Sequence, residues 1–197
     1  MKFMSGLLLS GVLLFTLQGI AFADDTAGRV SRIQGAGGFM VWESQKERGT
    51  DVQSGIVDSL MPFPAEKVVE LLRDYDNYRH FLAFFDTTKV LERDEEKALL
   101  RLKATIGGGS VKLKATGYMR EKTEGSTTHF ELRYRKGNVK RMDGDWFVTP
   151  VDGKSCLLKM KLHVDPDLWL VSDGQLSEYN LVNSRRTIRA IKKRLEN

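Results

Sequence analysis

The sequence predicts an α+β domain in which a curved antiparallel β-sheet wraps around a long C-terminal helix. Short helices are expected between the second and third strands. Three observations predict this. Val68, Leu71, Leu72 and Tyr75, then Tyr78, Phe81, Leu82 and Phe85, repeat an i, i+3, i+4, i+7 spacing, the apolar stripe of a short helical segment. Between Thr88 and Val164, apolar and polar residues alternate in runs broken by turn residues. Beyond Asp165-Pro166 the helical period returns and holds to Leu195.

Residues 1–23 read as an address rather than part of the fold. Lys2 supplies the positive start, an apolar run spans 7–22, and Ala21-Phe22-Ala23 forms a small-x-small cleavage site. A membrane anchor is the alternative. Ser10, Thr16 and Gln18 interrupt the run, however, and it falls short of the roughly 20 apolar residues a spanning helix needs. The expectation is a cleaved export signal and a mature chain that is soluble in the periplasm of a Gram-negative bacterium. Residues 24–38 (Gly-rich GRVSRIQGAGG) are expected to form a flexible lead-in, and 39–197 a single domain.

Strands are expected at 39–42 and 52–60. Pro62 and Pro64 then stop the sheet, and Pro64 opens a helix with Glu66 in its first turn. Asp74 to Asn77 should kink it. Further strands are expected at 88–92, 98–105, 111–119, 127–135, 144–149 and 156–164. Turn chemistry separates them: Asp94-Glu95-Glu96, Gly107-Gly108-Gly109, Glu124-Gly125, Gly137-Asn138 and Asp152-Gly153. Val111, Leu113 and Ala115 oppose Lys112, Lys114 and Thr116, the signature of a sheet with one covered face. Ser172 and Gln175 make a capping box for the last helix. That helix carries an apolar stripe (Leu181, Ser184, Ile188, Ile191, Leu195) and an uncharged strip (Leu176, Asn180, Asn183, Thr187, Ala190). The strip is either a semi-exposed flank or the polar wall of an internal cavity.

Composition narrows the function classes. Cys156 is the only cysteine, so an exported chain has no internal disulfide, and its alternation with Leu158, Met160 and Leu162 reads as a small buried apolar group. Cleavage removes Lys2 and no acid, taking the formal charge from +5 to +4. Positive residues cluster at Lys103, Lys112 and Lys114, and again near the C-terminus. Export argues against nucleic acid as a partner. The functional reading of Arg185, Arg189, Lys192 and Lys193 is therefore a transient contact with an anionic membrane surface. A solvated helix face is the bland alternative.

Two stretches resemble the START-like, SRPBCC helix-grip superfamily, especially its polyketide-cyclase and coenzyme Q-binding branch. The first is Asp74-Tyr75-Asp76-Asn77-Tyr78-Arg79-His80-Phe81-Leu82, similar to a D-Y-x-x-Y-x-x-F-L pattern. The second is the segment from Gly137 through Val139, Lys140, Met142 and Gly144 to Trp146, ending at Pro150. The resemblance implies a helix-grip fold over about residues 52–195, with a cavity between sheet and last helix. It carries no ligand identity, because Ala83 replaces a frequent proline and Val148 a frequent aromatic.

Catalytic patterns are absent: there is no H-E-x-x-H, Cys-x-x-Cys or G-x-S-x-G, and no spacing suited to a metal. His129 and His163 fall on the polar parity of their strands and His80 lies off the aromatic stripe, so all three are expected to be solvated. Binding demands less. About a dozen buried methylenes supply about 10 kcal/mol, and association costs at least about 4 kcal/mol, which leaves micromolar-scale affinity. The expected wall residues are Tyr78, Phe81, Phe84, Phe85, Trp146, Leu176, Asn180 and Thr187. The expected function is an exported, non-catalytic carrier of a hydrophobic small molecule such as a quinone, hopanoid or fatty-acyl lipid, with no cofactor. The rivals are a cyclase or dehydratase-like enzyme, suggested by the resemblance, and an envelope interaction module that uses the basic last helix.

Overall fold

The computed structural model describes residues 25–82, 85–106, 111–166, 168 and 171–197. The expected export signal, Phe84 and the Gly107 to Gly109 turn lie outside them. Helix α1 (Thr26–Gly35) comes first, followed by strands β1 (Met40–Gln45) and β2 (Ser54–Met61). Helix α2 (Ala65–Arg73) and a 3-10 helix, Tyr75–His80, follow, split at Asp74 where the sequence predicts a kink. Six strands come next: β3 (Phe85–Arg93), β4 (Lys97–Ile106), β5 (Val111–Glu124), β6 (Thr127–Gly137), β7 (Arg141–Pro150) and β8 (Cys156–Asp165). Helix α3 (Asp173–Glu196) closes the chain. All strand pairs are antiparallel, in the order β1-β2-β8-β7-β6-β5-β4-β3, so the curved sheet is unclosed, with edges at β1 and β3.

The predicted alternation builds this sheet. On β4, Leu100, Leu102, Ala104 and Ile106 are buried while Arg101 and Lys103 are exposed. On β5, Leu113 and Ala115 turn inward and Lys112 and Lys114 outward. The 3-10 helix covers the β3 edge, because the Asp76 carboxylate accepts the Val90 N–H at 2.8 Å. An edge donor is thereby paired instead of being left open to aggregation.

The long helix is fixed at both its start and its middle. The Ser172 hydroxyl accepts the Gln175 N–H, and the Gln175 side chain accepts the Ser172 N–H at 3.0 Å, completing the predicted capping box. One turn further, Gly55 lets α3 rest directly on the β2 backbone: a Cβ there would lie 2.5 Å from Leu181 Cα and 2.6 Å from the Asn180 carbonyl oxygen. Asn180 then staples the helix to the sheet. Its side-chain oxygen accepts Val164 N–H at 3.1 Å, and its amide nitrogen donates to Gln53 O at 2.9 Å and Val164 O at 3.3 Å. Ser184 adds a hydrogen bond to Gly55 O at 3.1 Å.

Two sequence expectations need correction. The flexible lead-in is instead α1, lying on the outer face of β2. Ile33 is its buried anchor, and Arg29 and Arg32 both bind the buried Asp58 carboxylate. The helix thereby brings two cations to a buried carboxylate, a compensation that local composition does not announce. The second correction concerns the histidines. His80 is exposed as expected. His129 is partly buried, stacked on Phe147 with centroids 4.1 Å apart and bonded to Asp145 at 2.9 Å. His163 does point away from the concave face, but only 1% of it is exposed. The start of β2 and the β1–β2 connection lie against it: Ser54 is 3.3 Å from Nδ1, and Glu47 of the connection is held nearby by Lys161 at 2.7 Å and Arg141 at 3.5 Å.

Burial, and after it Arg141, pushes the His163 pKa below its ordinary value, against smaller opposing pulls from Glu47, Asp143 and Asp165. The unfolded chain therefore binds the proton more readily. Stability is present above the unfolded value near about 6.5 and declines as pH falls from there through the folded value. Urea unfolding midpoints should drop between neutral and mildly acidic pH in the wild type. His163→Gln, which removes that titration, should flatten the dependence; an unchanged slope would show that another group sets it.

An apolar seam as the candidate functional site

Between α3 and the concave sheet lies a seam built from inward-facing positions. Phe85, Ala104, Ile106 and Leu113 form one wall, and Leu132, Met142, Trp146, Leu162 and Val164 form the floor. Tyr179 and Asn183, one helical turn apart on α3, close it from above. The lining side chains are apolar except for the indole, phenol and amide groups. Burial pushes the Tyr179 phenol up to about 12, so near neutral pH it remains protonated and can act as a donor.

The free volume is small, about 20 Å³. That accommodates one water-sized group, whereas sites for drug-sized ligands run to roughly 300–1,000 Å³. Among the described residues the seam is far smaller than the open hollow that the resemblance implies, because large side chains from both layers fill the space. An incoming molecule must displace them. Among the buried polar atoms without a partner in the described residues are Trp146 Nε1, from a floor residue, and Thr187 Oγ1, one turn beyond Asn183. An unpaired buried donor of this kind costs about 1–3 kcal/mol.

The expected wall residues divide into three groups. Phe85 and Trp146 line the seam. Tyr78 and Phe81 form a layer behind Phe85: Tyr78 stacks on Phe85 at 6.4 Å, meets Phe81 edge-on at 5.5 Å, and donates to Leu72 O at 2.5 Å. Leu176, Asn180 and Thr187 are buried on α3 but are not among the lining residues, and the Asn180 amide is engaged by backbone. Phe84 lies outside the described residues. Tyr179 and Met142 were missed. The signal for Tyr179 is its i, i+4 relation to Asn183, and for Met142 its inward parity with Gly144 and Trp146.

The basic positions of α3 are likewise divided. Arg185 stacks 3.9 Å from the Trp42 ring centroid, and Lys192 pairs with Glu196 and approaches Phe39, while Arg189 and Lys193 are exposed. Cys156 is buried, and its thiol is pushed up to about 12 by burial, with a smaller push from Glu66, as suits an inert packing group. Among the described residues no group of three or more His, Cys, Asp or Glu is placed to hold a metal ion. None of their helices is long and apolar enough to cross a membrane.

Residues 61–173, more than half of the chain, match the family described as polyketide cyclase / dehydrase and lipid transport. The chain belongs to that family. Solved structures share the helix-grip fold of this family member. A STAR-related lipid transfer protein fragment from Xanthomonas axonopodis superposes with a TM-score of 0.70 at 15% identity, over 80% of this chain and 94% of that one. Human STARD10 gives 0.65 at 11% identity, over 78% and 72%. The Zhui aromatase/cyclase from Streptomyces sp. R1128 gives 0.54 at 15%, over 80% and 94%. A curated relative, the ribosome association toxin RatA of Pseudomonas aeruginosa, is 26% identical over 107 residues, or 54% of this chain and 71% of the relative.

Proposed function

We propose that this family member is an exported, non-catalytic carrier that takes a hydrophobic molecule into the seam between α3 and the sheet. The supporting observation is the seam itself: an apolar surface whose floor includes Trp146, an indole whose buried N–H has no partner among the described residues. That chemistry suits a largely hydrocarbon ligand with one hydrogen-bond acceptor, such as a quinone or fatty-acyl carbonyl. Apolar burial supplies the affinity, and the acceptor would pair with Trp146 Nε1 and offset the cost of leaving it alone. The amide, phenol and indole of the lining bind and orient; none is a general base near neutral pH, which favours holding over turnover. The lipid-transport description of the family points the same way.

Trp146→Phe tests this reading because it keeps an aromatic ring on the floor and deletes the donor. Titration with a decyl-tailed benzoquinone should show about tenfold weaker binding than wild type, near 1.4 kcal/mol, the scale of one hydrogen bond. Binding of an alkane-tailed probe without a carbonyl should be unchanged. Equal affinity of both proteins for the quinone would contradict an acceptor at this position. Fractionation of the producing cell tests export, which requires the mature chain outside the cytoplasm.

A further inference from the structure

We infer that the convex face of β4, β5 and β6 is an electrostatic docking surface for an anionic phospholipid bilayer. This goes beyond the carrier reading and holds whether or not the seam is loaded. Outward positions on adjacent strands place like charges directly opposite one another: Lys89 opposes Arg101 across β3 and β4, and Lys103 opposes Lys114 across β4 and β5. All four are exposed, and none forms an ion pair among the described residues. Directly opposed like charges destabilise a sheet, so the arrangement is unfavourable until an anion neutralises it.

The backbone adds a further cation to the cluster. A Cβ at Gly137 would lie 2.1 Å from Lys114 O, so glycine permits the end of β6 to press on β5. Asn138 locks that contact, accepting Lys114 N–H at 2.6 Å and donating to Lys112 O at 2.9 Å. Lys136 is thereby set opposite Thr116, beside Lys114, and with Arg101 and Lys103 it borders a shallow groove of about 610 Å³.

The position favours a bilayer over a nucleic acid. The same two strands present Ala104, Ile106 and Leu113 to the seam from their other face, so docking brings that end of the seam to the headgroup region. A single-stranded nucleic acid would need an aromatic platform among the cations. The nearby ring, Tyr118, is already occupied by Lys97 at 5.3 Å and Arg135 at 5.5 Å.

Co-sedimentation of the full chain with phosphatidylcholine vesicles, with and without one-third phosphatidylglycerol, tests the inference. The protein should sediment with the anionic vesicles only and be released in molar salt, where screening reaches about 3 Å. Lys103→Gln with Lys114→Gln should lower the partition coefficient about thirtyfold, about fivefold per cation. These variants should fold, since they relieve a like-charge opposition, and an unchanged melting temperature verifies it. Arg189→Gln with Lys193→Gln on α3 should leave partition nearly unchanged. The inference is overturned if the face variants keep wild-type partition, or if the α3 variants are the ones that lose it. It is equally overturned if the wild type ignores anionic vesicles and the face instead retains ribosomal RNA. None of these readouts uses a seam ligand, so failure here is separable from failure of the carrier reading.

Discussion

Gly55→Ala is expected to destabilise the fold by about 3 kcal/mol or more, measured as a lowered urea midpoint. Overpacking ordinarily costs about 1–3 kcal/mol because neighbouring side chains can shift. Here the obstacles are backbone atoms: Leu181 Cα at 2.5 Å, and Asn180 O and C at 2.6 and 2.7 Å. Relief requires α3 to lift off β2, and lifting strains the Asn180 bonds to Gln53 and Val164 and the Ser184 bond to Gly55. Gly153→Ala is the control, because a Cβ there meets nothing within 4 Å. Similar midpoints for the two variants would mean that the helix is not gripped at Gly55.

Phe85→Ala should separate the seam from an ordinary core. Phe85 is 6% exposed and fills the β3 wall, so its loss should cost about 3–5 kcal/mol in the empty protein. Were the seam only packing, that would be the whole effect. If it is a site, removing the ring also removes one side chain that a ligand must displace. The decyl-tailed quinone should then bind more tightly than to wild type. At a hundredfold excess over its dissociation constant, it should return about 2.7 kcal/mol of stability. Calorimetric melts with and without the quinone measure both terms. A destabilised variant that the ligand does not rescue would mark the seam as plain core.

Much of the scaffold was legible because its signals are local. Strands β4 and β5 have one wet face, so Leu102 against Lys103 and Leu113 against Lys114 set their parity without knowledge of partners. The Ser172 and Gln175 box lies within one turn and marked the start of α3. Long-range facts were not legible. Helix α1 exists because Arg29 and Arg32 reach Asp58, a partner 29 and 26 residues away, while its own sequence contains one buried apolar residue. His163 has outward parity and is nevertheless buried, with Ser54 at the start of β2 against its ring and Glu47 of the β1–β2 connection bonded to that serine. Strand β5 runs on to Glu124 since its pairing with β6 outlasts its apolar alternation.

The site was legible in part for the same reason. Helical periodicity grouped Asn180, Asn183 and Thr187 on one strip, yet periodicity does not say which part of the strip meets backbone and which meets side chains. Gly55 decides that: its missing Cβ draws Asn180 onto β2 and β8, leaving Asn183 and Tyr179 over the seam. Phe85 and Trp146 emerged from the aromatic spacing and the Gly-to-Trp segment. The filling of the seam by side chains did not emerge, because volume depends on how both layers interlock.

Native mass spectrometry of the protein taken from its producing cell, before and after organic extraction, tests the central claim most directly. A seam that opens for oily cargo predicts a one-to-one adduct that extraction strips away and that the same extract restores. A single ligand-free mass in every sample would contradict it, and would leave the gripped helix and its curved sheet as a solid scaffold.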